Sequence, residues 1–250
     1  MPNNNYTGLR YRYLLFDLDR TLWDFDENAK RSIFYLLDLY DPHGNSLYDG
    51  NKEEFFKRYE EINYTLWSEY EAGKITREEL RAARFYKTFL LYGYDNQEMS
   101  TKIDIEYLQR MAYETALMPG ALEVLKRSKE AGCKIAVISN GFKEVQTNKV
   151  KTSGIGEYID LLMTSEEAGV HKPSPAIFRI TLSQLYDGPI SDIRRQTLMI
   201  GDDFTNDIEG AQIFGIDQLF YNYRNIPCDG GPTYMSDDLK DVWGIVGILN

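Results

Sequence analysis

The chain has 250 residues, 43% of them hydrophobic and 27% charged, a globular composition that excludes a fibrous or wholly disordered polypeptide and allows one large domain or two modest ones. Its 39 acidic and 28 basic residues give a formal charge of −11, which argues against a broad footprint for a nucleic acid polymer or an anionic membrane. Cys133 and Cys228 fit neither a metal-ligand spacing nor a disulfide framework, and no segment offers the roughly 20 apolar residues of a membrane span. Met1 to Phe16 lacks a signal-peptide h-region, so the expected compartment is a reducing cytoplasm.

In chain order, Tyr13-Leu14-Leu15-Phe16-Asp17 reads as a short strand buried on both faces and ending in a polar turn. From Asp24 to Ala116 long amphipathic stretches predict several helices and no obvious strand. Asp41-Pro42-His43-Gly44-Asn45 marks a break, and Thr76-Arg77-Glu78-Glu79 fits a capping box that starts a helix towards Leu91. Met118-Pro119-Gly120 returns the chain to an α/β pattern, with a helix from Ala121 to Ala131 stopped at Gly132. Buried strands are predicted at Lys134 to Ser139, Asp160 to Thr164, Gln196 to Gly201 and Gln218 to Tyr221, with helical patterns between them. Asn225 to Asp238, rich in Gly, Pro and Asp, is predicted to be loop. The alternation predicts an α/β fold with a parallel sheet and an inserted, not appended, helical domain.

Three polar clusters follow apolar strands, and the carboxyl ends of strands are where open parallel sheets bind ligands. The first, Asp17-Leu18-Asp19-Arg20-Thr21, carries two carboxylates and a hydroxyl; the second, Ser139-Asn140-Gly141, carries a hydroxyl, an amide and a flexible backbone position. The third is Gly201-Asp202-Asp203-Phe204-Thr205-Asn206-Asp207, an acidic run that opens a helix. Each alone also suits an ordinary turn or helix N-cap, and Lys172 before Pro173 suits a solvated loop lysine. Their recurrence in chain order on one sheet favours a common site.

Asp17-x-Asp19-x-Thr21, Ser139-Asn140 after a strand, Lys172-Pro173 and Gly201-Asp202-x4-Asp207 resemble the four ordered motifs of haloacid dehalogenase superfamily phosphatases, and the likeness spans nearly the whole chain. The resemblance implies a Rossmann-like three-layer core over residues 1–22 and 117–250, with an all-helical cap domain over residues 23–116. It implies Asp17 as nucleophile, an aspartyl-phosphate intermediate, and Asp19 as general acid and base. Mg²⁺ would be the cofactor, held by Asp17, the Asp19 backbone carbonyl and Asp202. Lys172 would neutralise nucleophile and phosphate oxygens, while Thr21, Ser139 and the Asn140 N–H would bind the phosphoryl group. Asp207 would orient Lys172 or a metal-bound water, and Asp203 would support the metal shell.

Within that superfamily an insertion at this place implies a cap over a small-molecule site, with hinges near Trp23 to Glu27 and Leu117 to Gly120. The stretch Leu66 to Thr76, with Thr21 to Asp26, resembles the bacterial pyrimidine 5′-nucleotidase branch. The substrate implied is a small phosphate ester, a nucleoside monophosphate, and Trp67, Tyr70 and Lys74 are the candidate specificity residues. Phe85 and Tyr86 share the aromatic character expected of a base platform, although aromatics at helical spacing also fill cores. A phosphatase for phosphoglycolate or sugar phosphates and a phosphoglucomutase-like enzyme remain open. A 2-haloacid dehalogenase would not need Asp19, and a non-enzymatic binding protein would not need so complete a set of reactive side chains. Oligomeric state is not readable from the residues.

Overall fold

The structure, a computed structural model, describes residues 8–41, 43–44, 46–228 and 230–248. The chain divides into two compact units, Met1–Phe25 with Thr115–Asn250, and Asp26–Glu114. Among the described residues no helix is long and apolar enough to cross a membrane.

The inserted unit is built of α1 (Phe25–Tyr40), α2 (Lys52–Glu71), α3 (Arg77–Leu90) and α4 (Gln97–Met111), with no strand among its described residues. Each of the last three starts on a side chain that satisfies an orphan backbone donor. Asn51 accepts from Glu54 N, Asn96 accepts from Met99 N, and Thr76 with Glu79 completes a reciprocal capping box. The predicted break after α1 is present at Asp41, whose Oδ2 accepts from the Ser46 and Leu47 N–H groups at 2.8 Å each; Pro42 and Asn45 lie outside the described residues. Aromatic rings fill the interior, with Tyr59 and Phe85 at 4.8 Å and Phe85 and Tyr107 at 5.3 Å between centroids. Phe85 is 1% exposed, so it belongs to this core and is no base platform. A buried ion pair joins α3 to α4, Arg84 Nε to Asp104 Oδ1 at 2.5 Å.

The other unit is an α/β sandwich. Its strands are β1 (Tyr13–Phe16), β2 (Lys134–Ser139), β3 (Leu161–Thr164), β4 (Thr197–Gly201), β5 (Asp217–Tyr221) and β6 (Tyr234–Ser236). They form one sheet in the order β3-β2-β1-β4-β5-β6 with every neighbouring pair parallel. The helices of this unit are α5 (Ala121–Glu130), α6 (Lys143–Thr152), α7 (Ser165–Ala168), α8 (Pro175–Leu185), α9 (Ile190–Ile193), α10 (Gly210–Phe214) and α11 (Asp241–Val246). Leu15, Ala136, Ile138 and Met199 pack into one cluster with Ile177, Phe178 and Leu182 of α8 and Ala211 and Phe214 of α10. The period-two alternation of strands turns Leu14, Phe16, Ile135, Val137, Leu198 and Ile200, all fully buried, to the opposite face. There α5 lies against β2 and α11 against α5. A central strand covered on both faces must be apolar at every position, which is why β1 reads as a continuous run.

One expectation is corrected. The segment predicted as loop from Asn225 to Asp238, of which Asp229 lies outside the described residues, contains β6, in parallel register with β5 at Leu219 and Tyr234. It is an edge strand of three residues, held because the Tyr11 hydroxyl bridges Asp217 on β5 and Tyr234 on β6, and so short a pairing leaves no sequence period to read. The acidic run after β4 does open a helix, whose first stretch, Phe204–Glu209, is of π type before α10 begins. Single π-turns of this kind gather at functional sites because they re-aim side chains.

Candidate active site

The chain builds β1, β2 and β3 outward to one side, then crosses back to place β4, β5 and β6 on the other. β1 and β4 therefore flank the point where the direction of winding reverses, and the loops at their carboxyl ends diverge to leave a crevice. Asp17 follows β1 and donates its backbone N–H to Ile200 O at 2.9 Å, which ties it to the edge of β4. Asp202 follows β4, Ser139 ends β2, and Lys172 lies beyond β3 and α7.

Lys172 is the buried hub of the site, 3% exposed. Its ammonium spends all three protons, on Asp17 Oδ1 at 2.6 Å, Asp207 Oδ1 at 2.7 Å and Ile138 O at 2.9 Å. Burial alone would pull this lysine down, but the carboxylates of Asp17 and Asp207 overturn that and hold it charged. Burial pushes both carboxyls up, and Lys172 only partly offsets it. The backbone of Lys172 is clamped as well: Asn140 Nδ2 donates to Lys172 O at 3.0 Å, and Lys172 N donates to Asn140 Oδ1 at 2.8 Å. The solvated-lysine reading of Lys172 is thereby excluded. Gly201 leaves the room Asp207 needs, since a Cβ there would fall 2.1 Å from Asp207 Oδ2.

Two expected roles are redistributed. Thr21 is fully buried, donating to Asp202 Oδ1 at 3.3 Å and accepting from Asp202 N at 3.1 Å; its hydroxyl orients Asp202 and is spent before a phosphate could use it. Asp203 turns one oxygen to Asn206 N at 2.9 Å and the other to Asn206 Nδ2 at 3.1 Å, so it is the N-cap of the π-type turn. The Asn140 side chain serves the Lys172 backbone as described above, which leaves the expectation for its backbone N–H as it stood. Trp67 and Tyr70, on α2, pack edge to face at 5.7 Å and are half-buried, while Lys74 is exposed.

Three residues that sequence reasoning missed join the site. Arg224 Nη2 meets Asp202 Oδ2 at 2.8 Å. Lys149 Nζ meets Asp19 Oδ1 at 2.5 Å, and Gln146 Nε2 meets Asp19 Oδ2 at 2.7 Å. Gln146 and Lys149 belong to a helix whose sequence, KEVQTNKVKT, is polar almost throughout, so no periodicity separates a site-facing polar residue from a solvated one.

The donor set suits a hard divalent cation. Asp17, Asp202 and Asp207 each offer a carboxylate oxygen, all within 4.8 Å of one another and all from buried residues. Three buried carboxylates against one buried ammonium leave surplus negative charge. The strain shows at Asp202, pushed up to about 7 by burial and by Asp17, against the pull of Arg224 and Arg20. A cation with oxygen preference would relieve it.

A family model for haloacid dehalogenase-like hydrolases matches residues 11–215. The pyrimidine 5′-nucleotidase PynA of Streptococcus pneumoniae is 30% identical over 234 residues, 93% of this chain and 93% of that protein. The pyrimidine 5′-nucleotidase YjjG of Escherichia coli is 28% identical over 236 residues, 94% of this chain and 97% of its own. Among solved structures, the HAD-hydrolase YfnB of Bacillus subtilis bound to magnesium superposes with a TM-score of 0.81 at 27% identity, covering 96% of this chain and 100% of that one. Sheet order, the lysine-bridged carboxylates at the switch point and these likenesses agree, and the chain belongs to the haloacid dehalogenase-like hydrolases.

Proposed function

We propose that this enzyme hydrolyses phosphate monoesters of small molecules, with a pyrimidine nucleoside monophosphate as its substrate, by transferring the phosphoryl group to Asp17. The observation that carries the reading is the pair of carboxylates two residues apart on one loop, Asp17 bridged to Lys172 and Asp19 held apart from that bridge by Gln146 and Lys149 of α6. A halide leaves without a proton, so a dehalogenase has no use for the second carboxyl; an ester oxygen needs one.

In the first half-reaction an oxygen of Asp17 forms a bond to phosphorus as the bond from phosphorus to the ester oxygen breaks, and Asp19 gives its proton to that oxygen. In the second, Asp19 takes a proton from water as the water oxygen attacks phosphorus, returning Asp17 and releasing inorganic phosphate. Lys172 neutralises the nucleophile and the incoming phosphate, and Ser139 with the Asn140 N–H donates to the phosphoryl oxygens. Asp17, Asp202 and the Asp19 backbone carbonyl would hold Mg²⁺, which when bound supplies positive charge against the dianionic phosphate. Asp207 keeps Lys172 in place. Identity to two pyrimidine 5′-nucleotidases supports the nucleotide half of the reading, and within it Trp67, Tyr70 and Lys74 select the leaving group.

The test is phosphate release with and without Mg²⁺ from UMP, dUMP, dTMP, purine nucleotides, sugar phosphates and phosphoglycolate, with Asp17→Asn as control. Turnover of pyrimidine nucleotides that chelation and Asp17→Asn both abolish is the expected outcome. Activity indifferent to both would overturn the mechanism, and turnover confined to sugar phosphates or phosphoglycolate would overturn the substrate.

A further inference from the structure

Asp19 presents both carboxylate oxygens to α6, one to Lys149 and one to Gln146. The two partners stand three residues apart, hence on the same helical face, and both are buried, Gln146 at 1% and Lys149 at 3% exposure. Buried polar side chains are costly unless their partners hold them, so this face is built around Asp19 and not merely near it. The Lys149 ammonium also lies 4.2 Å from the Trp23 ring centroid, an apolar wall that suits a cation and offers no competing anion.

Hydrogen-bond polarity at Gln146 follows from its partners. The amide nitrogen donates to Asp19 Oδ2, the polarity that an accepting carboxyl oxygen requires. The other proton of the same nitrogen reaches Ser139 Oγ at 2.6 Å. Ser139 Oγ accepts a second bond, from Gly141 N at 3.1 Å. With two bonds accepted, its lone pairs are occupied and its own proton is left to be donated. Gly141 makes the arrangement possible, since a Cβ at that position would lie 2.3 Å from Gln146 Nε2.

We infer that Gln146 and Lys149 are positioning residues for the reaction: together they fix the stance of the Asp19 carboxyl, and Gln146 also makes Ser139 a one-way donor towards the phosphoryl group. The inference rests on the reading of Asp19 as the group that protonates the leaving oxygen. The two residues divide the work unequally. Among the described bonds Lys149 reaches Asp19 and not Ser139, so its influence falls on proton transfer. Gln146 touches both, so its influence extends to phosphate binding whatever the leaving group.

Lys149→Met and Gln146→Met keep side-chain length and remove the donors. Each is assayed alone and with Asp19→Asn, on an alkyl phosphate and on p-nitrophenyl phosphate, whose phenolate leaves without needing a proton. Lys149→Met is expected to lower kcat/KM, which reports phosphoryl transfer to Asp17 and not the later hydrolysis of the intermediate, on the order of 10- to 100-fold on the alkyl ester, to change it by less than about threefold on the nitrophenyl ester, and to add nothing to Asp19→Asn. Gln146→Met should add to this pattern a roughly fivefold weaker competition by inorganic phosphate, from the altered Ser139. Equal kcat/KM losses on both esters in Lys149→Met, or a Lys149→Met loss that multiplies with that of Asp19→Asn, would overturn the inference. If kcat/KM of Asp19→Asn itself shows no dependence on the leaving group, the reading of Asp19 fails instead. Crystal structures of the two variants then decide the positioning separately: a swung Asp19 carboxylate supports it, and an unmoved one refutes it.

Discussion

Replacing Lys172 by methionine keeps its volume and removes the one cation that Asp17 and Asp207 share. Both carboxylates are buried, at 8% and 0% exposure, with their Oδ1 atoms 2.6 and 2.7 Å from the ammonium. Breaking a buried pair by deleting one partner costs about 3 to 5 kcal/mol, because the charge left behind has neither water nor a counter-ion. For a chain of this size the loss corresponds to a fall in Tm of roughly 6 to 20 °C. Without Lys172 both carboxyls are driven further up by burial. A carboxyl whose folded-state pKa lies above its unfolded value holds its proton more tightly when folded, so stability falls as pH rises past the unfolded value of about 4. The penalty of Lys172→Met should therefore be largest near pH 8 and shrink towards pH 5. Thermal melts of wild type and variant across that range, without Mg²⁺, measure it, and Lys172→Met with Asp207→Asn should recover part of the loss. A penalty below about 1 kcal/mol at pH 8, or one that grows on acidification, would refute the account of Lys172 as the charge hub.

Asp202, pushed up to about 7, must lose its proton to serve as a metal ligand, so Mg²⁺ affinity should fall about tenfold per pH unit below pH 7 and level off above it; calorimetric titrations from pH 5.5 to 8.5 would show this, and a flat profile would contradict it. Gly201→Ala places a Cβ 2.1 Å from Asp207 Oδ2 and should cost about 1 to 3 kcal/mol by denaturant titration, with a loss of activity because Asp207 no longer steadies Lys172; unchanged stability and turnover would mean that the site can shift to admit a methyl group. In the helical unit, Asp104→Ala strands Arg84, which is 3% exposed, and should lower that unit's stability by about 3 to 5 kcal/mol, seen as accelerated amide exchange in α3 and α4; exchange like that of wild type would count against it. Thr76→Ala removes the hydroxyl half of the capping box and should cost about 1 kcal/mol, a shift read by the same exchange experiment.

Much of this molecule is written locally. The buried strands β1 to β5, the helical insertion and the Thr76 cap follow from hydrophobic period, turn residues and capping chemistry, all of which act within a few residues of one another. So did the candidacy of Asp17 and Asp202, because strand-end carboxylates recur in order along the chain, whereas Lys172 became a candidate only through the family resemblance that Lys172-Pro173 helps to carry. Local patterns could not say which partner each group would meet. Thr21 pairs with Asp202 across 181 residues and Lys172 with Asp17 across 155, and it is the parallel order β3-β2-β1-β4-β5-β6 that brings them together. Gln146, Lys149 and Arg224 stood in polar stretches where a functional side chain and a solvated one look alike, and only their partners tell them apart: Gln146 and Lys149 are buried against Asp19, and the exposed Arg224 pairs with Asp202. β6 was hidden for the related reason that three edge residues owe their strand to a neighbour, not to themselves. The sequence by itself determined which residues could do chemistry, because side-chain chemistry is a property of the residue; the tertiary structure decided which of them do it together, because charge compensation and hydrogen-bond polarity are properties of the neighbours that folding supplies.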